Sequence, residues 1–378
     1  MRMFSFLTSD QLDNYFYIKP TNFTKYTPKN KLAYAIGATL YTPATREDLI
    51  EDLVNKKHAG LSSMVFCLED AISDFEVPYA EKKIIKDLQY LQEILKSGLI
   101  KLEELPLLFL RVRSYDQLVR LVQMDQEVFY LLTGINLPKF STEKDRPLLE
   151  LIKKLNEEGI LLYALPILET KEVIEIETRT SELVKIKELI NEYKDYCLNI
   201  RIGATDFCGL YGIRRNKNTT IYDIHLIREC ITHILNVFLR QEEPYVVSGA
   251  VFEYFIPKTM HEQISQSAYL DAFLLEISMD IANGIVGKTI IHPSQIKPVQ
   301  ALNAITYEEY MDAISIIESS KSANGVTRSP FANKMNETKP HYFWATKIIS
   351  KAEIYGVLHE SVTNVDLLYE TKESIYTS

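Results

Sequence analysis

The sequence has few cysteines and no pattern among them. Cys67, Cys197, Cys208 and Cys230 share no CxxC spacing and lie in apolar or helical-looking surroundings, which excludes a zinc knuckle or a disulfide framework and points to buried thiols in a reducing compartment. No window offers the roughly 18 consecutive apolar residues of a membrane span. The opening segment MRMFSFLTSDQLDNYFYIKP lacks the apolar run of a signal peptide, so a cytoplasmic location is expected. Clustered Lys and Arg are missing too. A formal net charge of −9 argues against wrapping nucleic acid or coating an anionic membrane, and small or charge-neutral partners are expected instead. Neither GxGxxG nor GxxxxGK spacing occurs, and Gly209 and Gly212 make only a loose loop, so no nucleotide fingerprint is present. There is no Ser-His-Asp set with nucleophile-elbow spacing, no internal repeat and no low-complexity tract.

What the 378 residues do contain is enough apolar content, 46%, to bury a full core. Short apolar runs rich in β-branched residues recur, each ending in polar residues or glycine and followed by a charged stretch of helical period. Eight strands are expected: Leu32 to Leu40, Ser63 to Leu68, Leu107 to Val112, Gly134 to Leu137, Leu161 to Leu168, Leu198 to Gly203, Tyr245 to Val251 and Thr289 to Ile291. Expected helices include Arg46 to Lys57, Ala80 to Leu99, Ser114 to Val122, Lys171 to Tyr193, Ile224 to Leu239 and His261 to Ile281. A doubly wound open sheet would suit this rhythm. An α/β (β/α)8 TIM barrel suits it better, because the conspicuous polar residues stand just past the ends of several strands. The expected organisation is an N-terminal extension over residues 1–30, a barrel over 31–300 and a C-terminal helical arm over 301–378. The arm has a Ser/Asn/Gly/Lys-rich stretch, Ser319 to Lys339, before a final helix near Phe343 to Tyr355.

Glu69 and Asp70 follow the apolar run Met64 to Leu68, and burying them needs a positive answer. Arg46 and Arg111 are the candidates, and a structural ion-pair ring at the barrel mouth is the plain alternative. Glu169 follows Leu165-Pro166-Ile167-Leu168, and Asp206 follows Arg201 to Thr205. Two carboxylates converging with water and substrate oxygens suit Mg2+ first and Mn2+ second, whereas helix N-capping would be the structural role for either. His292, before Pro293, is expected to be a packed turn residue rather than a base.

In order along the chain, these segments resemble the citrate lyase β-subunit and HpcH/HpaI aldolase family, which includes malyl-CoA lyases. The matching elements are Pro43 with Arg46, Leu68-Glu69-Asp70-Ala71, Arg111, Leu137-Pro138-Lys139, Leu168-Glu169-Thr170, Gly203 to Asp206, and Gly287-Lys288 with Ile291 to Gln295. The resemblance spans roughly Leu32 to Val357 and implies a TIM barrel. It also implies Mg2+ ligation by Glu169 and Asp206, substrate binding by Arg46, Arg111, Gly203 and Ala204, and orientation of substrate and metal-bound water by Arg111, Glu69 and Asp70. The separation of Glu169 and Asp206 exceeds the family's usual gap. Where the lyases carry a Gly-Lys-Met-x-Asp run, this chain reads Asn333-Lys334-Met335-Asn336-Glu337, which makes Glu337 the candidate proton donor. An arm reaching a neighbour's site implies a homo-oligomer, with a trimer as one form. These departures, with Lys339 to Ala345, resemble a divergent bacterial branch found in tellurite-resistance and stress gene clusters. The implied activity is carbon–carbon bond cleavage or formation on a 2-oxo acid or its hydroxyacyl adduct. The mainstream enzymes hold a CoA thioester, but no clear basic pocket here insists on CoA. A metal-dependent thioester or ester hydrolase and a non-catalytic barrel subunit are the rival readings.

Overall fold

Apolar runs bounded by turn residues produce eight short parallel strands: β1 (Ala38–Pro43), β2 (Ser63–Cys67), β3 (Leu107–Arg111), β4 (Gly134–Leu137), β5 (Tyr163–Leu168), β6 (Ile200–Ile202), β7 (Val247–Ser248) and β8 (Lys288–Ile290). In this computed structural model, which describes residues 1–255, 267–321 and 326–368, they pair in the order β7-β6-β5-β4-β3-β2-β1-β8. A parallel bridge between Gly249 and Lys288 joins the two ends, giving the expected (β/α)8 barrel.

The strands alternate in what they face. Leu108 and Leu110 of β3 pack outward with the helices. Leu107 and Phe109 point to the barrel interior, as do Val65 of β2 and Leu165 of β5. The outer helices are built to match. Val77–Ser97 starts with Pro78 in its first turn, buries Ala80, Ile84, Leu88 and Leu91 along one face, and stops at Gly98, whose φ is +78°, a conformation glycine adopts without penalty.

Four expectations are corrected. Leu32 to Leu40 is not one strand, because Lys29–Ala35 is a helix and β1 begins only after Gly37, at φ +59°. A continuous apolar run does not by itself distinguish a buried helix from a buried strand. Lys171 to Tyr193 breaks into Lys171–Ile174 and Arg179–Glu192, and Arg46 to Lys57 shrinks to Leu49–Val54. The first six residues of His261 to Ile281 lie outside the described residues, and the remainder belongs to the helix Ser267–Ala282. Within Ser319 to Lys339, Val326–Arg328 pairs antiparallel with Met335–Glu337, so that stretch contains a hairpin.

The first residues of the chain join the core. Met3, Phe4 and Phe16 share a buried cluster with the interior side chains Val65, Phe109 and Leu165, and Phe16–Ile18 pairs with Val357–Leu358 from the arm. The arm helix Thr338–Tyr355 packs on Tyr307–Ser319 and on Lys29–Ala35, the helix that leads into β1. The N-terminal ends of the strands are therefore covered, and the C-terminal ends carry the polar residues. No described helix is long and apolar enough to cross a membrane.

Candidate active site

Five consecutive strands each deliver one or two charged groups to the C-terminal mouth. Glu69 and Asp70 follow β2, Arg111 ends β3, Lys139 follows β4, Glu169 follows β5, and Asp206 lies beyond β6. Arg111 is the hub. Its Nη2 reaches Glu69 Oε2 at 2.7 Å, Asp70 Oδ2 at 3.3 Å and Glu169 Oε1 at 3.4 Å, while its buried Nε has no partner among the described residues.

The loop after β2 is locked from outside. Arg113 donates from Nε to the Leu68 carbonyl at 2.7 Å and from Nη2 to the carbonyls of Glu69 and Ile72 at 3.2 and 2.9 Å. Glu69 Oε2 also accepts the Asp70 backbone N–H at 2.7 Å. Arg113 lies two residues beyond Arg111, yet nothing in its sequence position announces this anchoring.

Lys139 was legible only as the end of a Leu-Pro-Lys element. Its backbone is left-handed, at φ +50°, a conformation costly for a residue with a side chain. That turn aims its backbone N–H at Glu169 Oε1, 2.8 Å away. Its Nζ meanwhile lies 2.5 Å from Glu69 Oε1, 3.2 Å from Asp70 Oδ1 and 3.7 Å from Asp206 Oδ1.

Glu169 is the most enclosed of the acids, its side chain only 2% exposed against 28% for Asp206. Neither is an N-cap: Thr170 and Gly203 hold those positions, and Asp206 sits in the first turn of Ala204–Leu210. Burial pushes the Glu169 carboxyl up to about 8, with Arg111 pulling it down and Asp206 pushing it further up. Burial also raises Glu69 against the pull of Arg111. For Asp70, burial is outweighed by its hydrogen bond with Glu69 and by the charge of Arg111, so it falls. Burial opposes the charge of Arg111 as well, but Glu169 and its neighbours overcome it and raise the guanidinium. Asp70, Lys139, Glu169, Thr205 and Asp206 line a cleft of about 720 Å3.

Other expected residues lie elsewhere. Arg46 pairs with Asp52 and does not line this cleft. Gly203 and Ala204 are at the site as scaffold: Gly203 packs on the Glu169 side chain, and Ala204 opens the Asp206 helix and is buried. Glu337 N-caps the arm helix, donates its backbone N–H to His341 Nδ1 at 3.1 Å, and does not line the cleft of its own chain. His292 is the packed turn residue expected: its Nδ1 is 2.8 Å from Ser294 Oγ, and its ring stacks on Phe255 at 4.5 Å. Lys288 is buried between Glu276 and Asp280, at 2.8 and 2.7 Å.

The donor set suits a hydrated divalent cation. Among the described residues no three acidic, His or Cys side chains form a ready cation cage, but Mg2+ keeps several waters and needs only one or two carboxylates. Glu169 and Asp206 supply two hard oxygen donors whose mutual repulsion a cation would relieve.

No curated protein sequence matches the chain. Among solved structures, a citrate lyase from Burkholderia xenovorans has a TM-score of 0.60 at 16% identity, covering 88% of this chain and 96% of its own. Mycobacterium tuberculosis CitE, solved with magnesium, acetoacetate and coenzyme A, has a TM-score of 0.51 at 18% identity, covering 85% of this chain and 99% of its own. These likenesses concern the fold. The family model described as a C-C bond lyase of the TIM-barrel fold matches residues 30–357, nearly the whole barrel and arm, so the chain belongs to the C–C bond lyase family of the TIM-barrel fold.

Proposed function

We propose that this chain is a Mg2+-dependent lyase or aldolase that breaks or makes a carbon–carbon bond on a 2-oxo acid or its hydroxyacyl adduct, with Mn2+ as the alternative metal. The observation that carries the reading is the enclosed Glu169 carboxyl, pressed by Asp206 from the next strand end and faced by Arg111 at 3.4 Å. Glu169 and Asp206 would hold the metal. When bound, the ion would supply Lewis-acid polarisation of the substrate carbonyl.

The chain's own groups divide the remaining work. Arg111, whose Nε–H has no partner among the described residues, offers a fixed positive charge where negative charge builds on the substrate oxygen, in a mouth partly shielded from water. Glu69 and Asp70 keep Arg111 and Lys139 oriented and accept hydrogen bonds from water or substrate. The enolate product needs a proton, and Glu337 is the proposed donor. Since Glu337 is not at its own chain's cleft, it acts in a neighbouring subunit, which makes the working form a homo-oligomer. The magnesium and acetoacetate in the CitE complex support a metal-held small oxo acid, acetoacetate itself being a 3-oxo acid.

The test is calorimetry of Mg2+ and Mn2+ binding, with and without oxaloacetate, pyruvate or glyoxylate, on the wild type and on Glu169→Ala/Asp206→Ala. A 2-oxo acid that tightens metal binding in the wild type only supports the lyase site. If the wild type takes up neither metal nor acid, the barrel is non-catalytic, and if product analysis returns the acid intact, the chemistry is hydrolysis.

A further inference from the structure

Among the described residues, Arg111 and Lys139 are the two cations that touch the four mouth carboxylates, Glu69, Asp70, Glu169 and Asp206. The two cations do not behave alike. Arg111 is nine-tenths buried and held from three sides, whereas the Lys139 side chain is 47% exposed and reaches in from the cleft. Its backbone is anchored separately, by the N–H bond to Glu169 at φ +50°, so the ammonium can leave without the loop moving. That ammonium touches Glu69 and Asp70 and stands 3.7 Å from Asp206. It therefore draws on one of the two carboxylates assigned to the metal and on the pair beside them.

We propose that the Lys139 ammonium is the site's resident cation, held in place by Glu69, Asp70 and Asp206, and that it competes with the divalent ion for their negative charge. This rests on the metal reading above and adds to it a role for a residue in setting metal affinity. With Lys139 in place and all four acids ionised, as metal binding requires of Glu169, the six groups carry an excess of two negative charges that one divalent ion neutralises. Without it the excess is three. Lys139 thus keeps the carboxylates together before metal arrives and limits how tightly metal binds afterwards, acting as a positioning residue rather than as a nucleophile. Its left-handed backbone is the cost of reaching both Glu169 and the Glu69–Asp70 pair from one residue.

The experiment is calorimetry of Mg2+ alone, at low ionic strength, on the wild type, Lys139→Met, Lys139→Gln and Lys139→Arg, with Glu169→Ala/Asp206→Ala as the blank. Removing a unit charge within a few ångströms should tighten Mg2+ binding by at least ~10-fold in both neutral variants. The gain should shrink as salt is raised, and Lys139→Arg should remain within about threefold of the wild type. A merely structural lysine would not give this sign, nor be rescued by charge alone. Two neutral variants guard against one failing to fold, and thermal melts identify such a failure. If the wild type binds Mg2+ but the neutral variants bind it equally or more weakly, the competition is overturned and the metal reading stands. If none of the proteins binds, both are overturned.

Discussion

A Cβ atom added to Gly203 would lie 1.8 Å from Oε2 of Glu169 and 2.4 Å from its Cβ. The β6 glycine and the β5 glutamate are therefore fitted to one another. The φ of Gly203, −97°, is open to any residue, so the glycine is required by the neighbouring carboxylate and not by its own backbone. Gly203→Ala should displace Glu169, cost ~1–3 kcal/mol of stability and abolish Mg2+ binding in a protein that still folds. Denaturant melts and calorimetry on the same sample check both parts.

The Glu169 carboxyl sits at about 8 against an ordinary 4.5. The folded protein then binds more protons than the unfolded chain between those values. Its contribution is fully present below about 4.5 and is lost as pH rises through about 8, with a slope of at most ~1.4 kcal/mol per pH unit. Metal binding should move the opposite way, strengthening toward pH 8 as the ligand loses its proton. Urea melts across this range without metal should show the decline, and Glu169→Gln should flatten it.

Lys288 is encased by Glu276 and Asp280, and Arg215 also pairs with Glu276. Glu276 Oε2 further accepts the Ile221 N–H at 2.6 Å, and Tyr222 donates to Asp280 Oδ1 at 2.5 Å. This network ties the segment beyond Asp206 to β8. Lys288→Met leaves the buried Asp280 without its cation and Glu276 with Arg215 alone, and should cost ~3–5 kcal/mol, read by chemical denaturation. With both Lys288 and Lys139 surrounded by carboxylates that raise them, borohydride in the presence of a 2-oxo acid should label neither.

If Glu337 serves a neighbouring subunit, Glu337→Gln and Glu169→Ala should each be inactive alone, and unfolding and refolding them together should restore part of the activity. Mixed oligomers contain sites with an intact metal end from one chain and an intact arm from another. No recovery, or full turnover by a monomer in sedimentation, would remove the trans role.

Much of the mouth was readable because a carboxylate or arginine ending an apolar run is conspicuous: Glu69 after Leu68, Arg111 after Leu110, Glu169 after Leu168. Such residues stand at strand ends whatever else the fold does. Arg46 illustrates the limit. Its turn after Pro43 was as suggestive in sequence, yet Asp52 on the following short helix takes its guanidinium. The run from Leu32 misled in another way, since its helix and its strand are both buried and equally apolar.

The sequence by itself determined the alternation of strand and helix, the eight strands near their observed positions, and the carboxylates that end them, because period, length and burial are local consequences of residue type. Only the tertiary structure decided which charges meet. The left-handed turn that lets Lys139 reach Glu169, Glu69 and Asp70, the grip of Arg113 on the Leu68 loop, and the closure of the barrel through Gly249 and Lys288 join residues from different strands. No local pattern encodes such distances, which follow from the register of eight strands closing on themselves.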